Sequence, residues 1–498
     1  MKKIKNLLKD TKKYLVNFKK NKTILTQVVI FFISLSISLP LLIKPMIAEG
    51  DAYVRSYLAF EDFQDQRLFK SYGGTWLPFH KIIIGLPLYI YNNYFLTPRL
   101  ITLIISSLTV CLIYILSIEL FKNYKQKKII ALITVGIFLL FPQRIFLSTQ
   151  TLTEPVFTFF FILGIYLLIK NKLLTSTIFL NISHGIRYES WFLTPIIFYY
   201  LYINKKISIK QKVLYGSSLL LFPTYWFLLN LVNNGSGLAF FSEKYQIAQN
   251  AGFIQEYWNF PLSFNVWLNN SFDLIGLIGL ISLVQGIIFY AKNKKTNTSG
   301  IFFLSTSIYL FSLLVLQVFM GTMEWFPHRY LYIPLTLFFP FIAYGLLITL
   351  KKINKKNLII FLALLPITLI DIFYVYQHTH IISAPDMKYP IDKEKKLNEI
   401  LYFYKKISMN ENDITLYIYK EDENSWLYPH FVYFNQVTEE SIPSIEIEDL
   451  KNKVYLNETK NYYFVFEKPA FTIIKKDQFG QEIFSNSSFS ITNLKNDK

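Results

Sequence analysis

The stretch ILTQVVIFFISLSISLPLLI, residues 24–43, contains 20 consecutive residues without a charged side chain. A helix of about 20 residues is roughly 30 Å long, which is the thickness of the hydrocarbon core of a bilayer. The stretch is long for the apolar part of a signal peptide, and Met46-Ile47-Ala48 lacks the small residue expected three positions before a cleavage site. We therefore interpret residues 24–43 as a retained membrane-spanning helix.

Comparable apolar runs recur along most of the chain, of which 52% is hydrophobic. This pattern excludes a soluble enzyme and a disordered chain, and the single cysteine, Cys111, excludes a disulfide-rich scaffold. The sequence predicts a polytopic α-helical membrane protein with about 11 transmembrane helices and a small C-terminal external α/β domain. The ten further spans are predicted at residues 98–121, 129–142, 155–170, 173–183, 190–204, 213–232, 272–291, 300–320, 330–350 and 357–377.

The net charge of +18 is typical of nucleic-acid-binding proteins, but its distribution indicates a membrane origin. Residues 1–377 contain 36 Lys/Arg against 14 Asp/Glu, whereas residues 378–498 contain 15 against 19. Six lysine clusters, with Asp10 as the one acid among them, lie in every second connection between the predicted spans. By the positive-inside rule, the protein lies in the cell (plasma or inner) membrane with a cytoplasmic N-terminus and an external or periplasmic C-terminal domain. No nucleic-acid partner is expected.

Three regions follow from this topology. Residues 1–22 carry nine lysines and are expected to form a cytoplasmic basic amphipathic segment on the membrane surface. Residues 23–377 form the membrane domain, and its external loops are predicted at 44–97, 143–154, 184–189, 233–271 and 321–329. Residues 378–498 form the external domain, with a helical pattern near 393–406 and strand-like runs at 414–419 (ITLYIY) and 461–467 (NYYFVFE).

The apolar run at residues 79–96 is long enough to span the membrane. Counting it as a span would move every later lysine cluster to the outer face, against the positive-inside rule. We therefore expect an interfacial or re-entrant helix at residues 79–96, on the outer face.

Polar residues differ between the two predicted faces of the membrane. The inner connections contain almost only lysine, whereas the outer loops mix aspartate, glutamate, histidine and arginine. This asymmetry favours a functional site on the external side. The candidate residues are Glu49, Asp51, Trp76, Glu154, His184, Arg187, Glu189, His328 and Arg329.

The acidic candidates suggest two kinds of chemistry. Asp51, eight residues beyond the first span, is placed to act as a general base towards a hydroxyl group. Alternatively it is a solvated loop acid or pairs with Arg55, or it holds a divalent cation together with Glu49 through oxygen ligands. Glu154 stands at the start of a span. A negative charge stabilises the N-terminus of a helix, and this is the simpler explanation for Glu154.

The basic and aromatic candidates suggest phosphate and sugar binding. Arg187 and Arg329 stand at the outer ends of spans, where a guanidinium binds phosphate through two parallel hydrogen bonds and keeps its charge beside lipid. Snorkelling to the interface is the alternative. His184 and His328 are candidates for phosphate binding or proton transfer, or else ordinary interfacial residues. Most tryptophans, including Trp76, lie near the predicted outer face, which suits flat platforms for sugar rings.

The order of these motifs resembles the glycosyltransferase C superfamily, and most of all its branch of protein O-mannosyltransferases and bacterial lipid A aminoarabinose transferases. The resemblance covers about residues 24–350. The motifs are Glu49-Gly50-Asp51-Ala52-Tyr53, Trp76-Leu77-Pro78, Arg99, Thr153-Glu154-Pro155, Arg187-Tyr188-Glu189-Ser190-Trp191 and His328-Arg329-Tyr330 before a span with Pro334.

This resemblance implies an enzyme that takes a sugar from a polyprenyl-phosphate donor on the external side and transfers it, with inversion, to a lipid, protein or glycan acceptor. It implies that Asp51 is the base and that Glu154 binds substrate or metal. The family commonly has an Asp-Glu pair in the first loop, whereas Asp51 precedes Ala52 here, so Glu49 is a second candidate for the base. No cofactor is assigned, and a divalent metal is left open.

Two other functions are compatible with this sequence. A polymerase or ligase that joins lipid-linked glycans would also use external arginines, and it would need a pyrophosphate-linked donor. A flippase or transporter is a weaker alternative. Transporters often contain broken helices and paired repeats at mid-membrane, but glycine makes up only 18 of the 498 residues and charges inside the predicted spans are few.

Overall fold

The structure is a computed structural model of the 498-residue chain. It describes residues 22–42, 50–71, 73–74, 76–93, 96–205, 207–250, 260–293, 297–319, 328–352, 414–419, 461–467, 471–475, 478–485 and 489–495. The chain forms two compact units. The first comprises Met1–Lys44 with Asp62–Met387, and the second comprises Pro45–Glu61 with Lys388–Lys498.

The described part of residues 22–352 is helical. Three short 3₁₀ helices, Leu39–Leu42, Leu86–Tyr89 and His328–Leu331, accompany the α-helices. The α-helices are α1 (Lys22–Ser38), α2 (Gly50–Gln64), α3 (Pro78–Gly85), α4 (Leu96–Leu120), α5 (Lys127–Leu140), α6 (Pro142–Leu147), α7 (Thr153–Ile169), α8 (Leu173–His184), α9 (Glu189–Phe192), α10 (Thr194–Ile203), α11 (Ile209–Leu219), α12 (Leu221–Asn234), α13 (Ala239–Asn250), α14 (Phe260–Lys292), α15 (Thr298–Phe319) and α16 (Tyr332–Lys352).

Within the described residues, four helical segments are long and apolar enough to cross a membrane. They are Ile24–Leu42, Leu96–Leu120, Leu274–Lys292 and Arg329–Lys351, and two shorter apolar helices cover Thr153–Ile169 and Thr298–Leu313. The predicted number of about 11 spans is therefore not confirmed. The predicted span at 357–377 lies outside the described residues.

Two predicted spans are each divided into two helices. Residues 190–204 are split between α9 and α10, and residues 213–232 between α11 and α12. Pro195 is the second residue of α10, and Pro223 stands in the first turn of α12. Proline has no N–H and its ring collides with the carbonyl four residues earlier, so a continuous helix is interrupted at both places.

The apolar run at residues 79–96 does not form one long helix. It contains α3, the 3₁₀ helix with Pro87, and an irregular stretch before α4 begins at Leu96. A helix of eight residues is about 12 Å long, which is too short to cross the hydrocarbon core. Ile90 is 90% exposed next to exposed Tyr89 and Tyr91, so this segment suits the interfacial position that the sequence predicts.

Helix α4 lies at the centre of the first unit and packs against α1, α5 and α7. Its Arg99 is fully buried. The Arg99 side chain donates from Nε to the carbonyl of Thr149 at 2.8 Å, and from Nη1 and Nη2 to the carbonyls of Leu42 and Leu41 at 2.9 and 2.6 Å. Two of these bonds satisfy backbone oxygens at the end of the first predicted span, so we assign Arg99 to the scaffold.

Helices α14 and α16 cross through two glycines. A methyl group on Gly286 would overlap the carbonyl oxygen of Phe341, and one on Gly345 would overlap the carbonyl oxygen of Ser282. Small residues at such a crossing let two backbones approach closely, which is a common way to join helices in a membrane. The packing of α14 on α16 therefore depends on Gly286 and Gly345.

Gly345→Ala is expected to lower the free energy of unfolding by about 1–3 kcal/mol, because the added methyl group pushes the two helices apart. Gly136→Ala in α5 is the control, since a methyl group there meets no atom within 4 Å. The control is expected to be neutral or slightly stabilising. Unfolding of the purified protein in detergent gives the comparison, and equal stability of both variants would contradict the close crossing.

The described strands of the second unit form one mixed sheet of five strands in the order β1-β2-β3-β5-β4. Strands β1 and β2 coincide with the two predicted strand-like runs and pair in parallel, with Ile414 opposite Asn461. The helical pattern near 393–406 lies outside the described residues. The strands are β1 (Ile414–Tyr419), β2 (Asn461–Glu467), β3 (Phe471–Lys475), β4 (Gln478–Ser485) and β5 (Phe489–Lys495).

Candidate functional site

The loop between α8 and α9 brings Arg187 to two glutamates. The Nη1 atom of Arg187 donates to Glu154 Oε1 at 2.7 Å and to Thr153 Oγ1 at 2.8 Å. Its Nη2 atom donates to Glu189 Oε1 at 2.6 Å, and Nε lies 3.2 Å from both carboxylate oxygens of Glu189. All three nitrogens of the guanidinium are therefore hydrogen-bonded, and the pair with Glu189 is bidentate, which is the strong geometry for arginine and carboxylate.

Local structure explains why these residues meet. Glu154 is the second residue of α7, and Glu189 begins α9. Between α8 and α9, the Arg187 N–H donates to the carbonyl of Ser183 at 3.1 Å, and the Ser190 hydroxyl donates to the Arg187 carbonyl at 2.9 Å. The backbone around Arg187 is thus held at both of its polar groups, so its side chain points to the start of α7.

A second arginine and a tyrosine complete the group. The Nε atom of Arg329 lies 3.9 Å from Glu154 Oε1. The guanidiniums of Arg187 and Arg329 lie 5.5 and 5.1 Å from the centre of the Tyr330 ring, within the range of cation–π attraction. We call this group the charged cluster; it consists of Thr153, Glu154, Arg187, Glu189, Arg329 and Tyr330.

The charged cluster is buried and electrically balanced. The side chain of Glu154 is 2% exposed and that of Arg187 is 10% exposed. Burial by itself lowers the pKa of Arg187, but the charges of Glu189 and Glu154 raise that pKa overall to above its usual range. The two glutamates and two arginines have no net charge together, so a further charged ligand would need one of the existing pairs to rearrange.

His184 lies at the end of α8 and is fully buried. Burial lowers the pKa of His184 to about 4, and the smaller opposing effect of the nearby backbone of Leu219 and Ser190 does not offset it. The imidazole is therefore neutral at neutral pH, and it supplies no positive charge for a phosphate in this conformation. Its predicted role in substrate binding stays a prediction.

The other predicted site residues are less fully described. Asp51 is the second residue of α2 and belongs to the second unit, whereas the charged cluster belongs to the first. Glu49 lies outside the described residues, as do the side chains of Asp51 and His328. Trp76 is 38% exposed, one residue before the buried Leu77. The role of Asp51 or Glu49 as the base therefore stays a prediction.

A metal site at Glu49 and Asp51 also stays a prediction. Elsewhere in the described ranges, no group of three or more His, Cys, Asp or Glu side chains lies together in a way that could hold a metal ion. The glutamates of the charged cluster bind arginine, which takes the place that a cation would occupy. The charged cluster thus does not fit a metal in this conformation.

Tyr330 and Tyr188 lie next to predicted site residues, but the sequence analysis assigned no role to either of them. The Tyr330 ring lies within cation–π distance of both guanidiniums of the charged cluster, and an aromatic residue next to a candidate arginine was the available signal. The Tyr188 ring stacks on Phe240 at 4.7 Å, and its hydroxyl donates to the carbonyl of Gly74 at 3.2 Å and accepts from Trp226 Nε1 at 3.2 Å. Tyr188 therefore joins the loop of Arg187 to the segment that leads to Trp76.

Solved structures with a similar fold are found among glycosyltransferases. ArnT from Cupriavidus metallidurans, a lipid A aminoarabinose transferase, superposes with a TM-score of 0.52 both in its apo state and bound to undecaprenyl phosphate. The match covers 92% of this chain and 93% of the apo ArnT chain at 11% identity, and 89% and 92% of the two chains at 9% identity for the bound form.

The apo oligosaccharyltransferase from Archaeoglobus fulgidus also matches, with a TM-score of 0.50, 12% identity, and coverage of 90% of this chain and 70% of that chain. Both neighbours belong to the glycosyltransferase C superfamily, so the resemblance predicted from the sequence is confirmed at the level of the fold. No protein-family model matches the sequence, and no curated protein is similar enough to count as a relative.

Proposed function

We propose that this chain is a membrane glycosyltransferase that moves a sugar from a polyprenyl-phosphate-linked donor to an acceptor on the external side of the membrane. The main support is the likeness to ArnT over nine-tenths of both chains, because ArnT was solved with undecaprenyl phosphate bound. The charged cluster adds independent support, since buried arginines and carboxylates at helix ends suit the recognition of a phosphate and of sugar hydroxyls.

The proposed reaction is a single displacement with inversion. Asp51 takes the proton of an acceptor hydroxyl, and the acceptor oxygen forms a bond to the anomeric carbon of the donor sugar. The bond between that carbon and the phosphate oxygen breaks at the same time, and its electron pair leaves with the lipid phosphate. Because this phosphate is a good leaving group, the base and the orientation of the two substrates contribute more than an acid would.

The two arginines of the charged cluster receive different roles. All three guanidinium nitrogens of Arg187 already donate to Thr153, Glu154 and Glu189. We therefore assign Arg187 to the positioning of the two carboxylates. Arg329 lies beside the same carboxylate, with its Nε atom 3.9 Å from Glu154 Oε1, so it brings a second positive charge to the charged cluster. Arg329 is the residue that we assign to the departing phosphate, which it stabilises as charge develops.

Transfer of a whole oligosaccharide is the second candidate, because the archaeal oligosaccharyltransferase shares the fold. The match covers only 70% of that chain, whereas it covers 93% of apo ArnT. We therefore place the transfer of a sugar from a monophosphate donor first. The sugar and the acceptor are to be identified by experiment.

The test is a donor panel. The full chain, purified in detergent, is incubated with radiolabelled polyprenyl-phosphate sugars and with pyrophosphate-linked oligosaccharides, and membrane extract supplies acceptors. We expect transfer, or slow donor hydrolysis, from a monophosphate donor. Turnover of pyrophosphate-linked donors alone would favour the second candidate. A complete lack of turnover with every donor in the presence of extract would contradict both.

A further inference from the structure

Arg144, in the short helix α6, is a buried cation that the proposed reaction does not use. Its side chain has no exposed surface. The Nη2 atom donates to the carbonyl of Ser34 at 2.8 Å and also contacts the Ser34 hydroxyl. The Nε and Nη1 atoms are buried without any hydrogen-bond partner in the described part of the chain. Two of the three nitrogens of this guanidinium are thus unsatisfied as far as the described residues go.

Arg99 shows that this fold can satisfy a buried arginine by itself. Both arginines are fully buried, and both bond to backbone oxygens of the first predicted span. Arg99 donates from all three nitrogens to carbonyls, whereas Arg144 donates from only one. The fold therefore does not leave every buried arginine without partners, and the unbonded Nε and Nη1 atoms of Arg144 require their own explanation.

Other buried hydroxyl groups lie close to Arg144. The Tyr332 hydroxyl lies near the Arg144 guanidinium, and the Ser106 hydroxyl lies beside Tyr332. The Ser38 hydroxyl stands one turn after Ser34 on α1, and it has no hydrogen-bond partner among the described residues. The surroundings of Arg144 thus offer hydroxyl donors, and no carboxylate forms an ion pair with Arg144 within the described ranges.

A buried charge without a counter-charge is strongly unfavourable, and most buried charges are paired for this reason. Water could accept from Nε and Nη1, but water would leave the positive charge uncompensated. An anion satisfies both requirements, because it accepts hydrogen bonds and neutralises the charge.

We propose that Arg144 binds a small monovalent anion, such as chloride, inside the membrane domain, with the hydroxyls of Ser34 and Tyr332 as further donors. One guanidinium balances one negative charge, which fits a halide better than a phosphate. The complete burial of Arg144 also favours a small ion over the phosphate of a lipid, whose attached chain needs an open path. This site is separate from the proposed transfer reaction and does not depend on it.

The test is the thermal stability of the purified full chain in chloride and in gluconate at equal ionic strength. Binding of chloride to the folded state raises the unfolding midpoint, and we expect an increase on the order of a few degrees over gluconate. Bromide is expected to replace chloride, and an anomalous signal from bromide beside Arg144 in a crystal would locate the ion directly.

Two variants make the result specific. Tyr332→Phe removes a single hydroxyl of the proposed site. It is expected to reduce the chloride increment, by which we mean the rise of the unfolding midpoint in chloride over gluconate. Tyr290→Phe is the matched control, because its buried hydroxyl donates to the carbonyl of Leu120 at 3.0 Å and stands outside the proposed site. It is expected to keep the full increment. Arg144→Met is expected to abolish the increment if the variant folds.

Three outcomes would overturn the proposal. Equal midpoints of the wild-type protein in chloride and gluconate would mean that no halide binds. The same chloride increment in wild type and Tyr332→Phe, with bromide located elsewhere, would place the ion away from Arg144. A greater increase with inorganic phosphate than with chloride would indicate a polyanion site instead.

Discussion

Replacing Asp51 with asparagine is expected to lower the rate of sugar transfer by about 10²–10⁴-fold, which is the usual contribution of a general base. Asparagine keeps the size and the polarity of the side chain but cannot accept the proton of the acceptor hydroxyl. The measurement is the initial rate of transfer from the donor that the panel identifies. Binding of the donor is expected to change little, because the base acts on the acceptor.

Two further variants decide whether Asp51 itself is responsible. Asp65→Asn is the matched control: this carboxylate stands in the same predicted external loop, is half exposed and pairs with Arg67, so its loss is expected to change the rate less than about twofold. Glu49→Gln tests the second candidate. Full activity in Asp51→Asn together with a large loss in Glu49→Gln would move the base to Glu49.

Replacing Arg187 with methionine is expected to lower the free energy of unfolding by about 3–5 kcal/mol, because it removes the guanidinium that two buried carboxylates share. The stems of the two side chains are similar in volume, so the loss is electrostatic and not a packing defect. The measurement is unfolding of the variant in detergent, compared with the wild-type protein under the same conditions.

Two comparisons separate this effect from a general loss of charge. Arg67→Met breaks an ion pair whose side chains are 41% and 50% exposed, and it is expected to cost less than about 1 kcal/mol. The triple variant Arg187→Met, Glu154→Gln, Glu189→Gln removes all three charges and is expected to recover part of the lost stability. Wild-type stability of Arg187→Met alone would contradict the account of the charged cluster.

The positions of several helices and strands could be predicted from the sequence, because they depend on local sequence. Residues 24–42 of the uncharged run are a helix followed by a 3₁₀ turn, and α4 begins and ends within two residues of the predicted span 98–121. The runs 414–419 and 461–467 are strands with the predicted bounds. Length, apolarity and alternation act within one segment, so a segment of sequence is enough to show them.

The interrupted spans show where hydropathy was insufficient. Residues 190–204 and 213–232 are apolar enough to be taken as single helices, yet each is divided near a proline. Average hydropathy measures the preference of side chains for lipid, whereas a break depends on a single missing backbone N–H. Attention to Pro195 and Pro223 would have predicted both interruptions.

The sequence by itself determined the membrane class of this protein, its resemblance to the glycosyltransferase C superfamily and the residues that are candidates for its site. The positions of the lysine clusters can be read from the sequence alone, and they set the predicted orientation of the spans. That orientation placed four of the candidates on one predicted face: Glu154, Arg187, Glu189 and Arg329. Only the tertiary structure decided that all three nitrogens of Arg187 are bound to Thr153 and the two glutamates.

The tertiary structure also distinguished Arg99, whose three nitrogens find carbonyls, from Arg144, whose Nε and Nη1 find none among the described residues. In the sequence, both are arginines near the predicted ends of spans. Whether a buried charge is satisfied depends on atoms that are far away along the chain and that packing brings within hydrogen-bond distance, so no local pattern in the sequence contains this information.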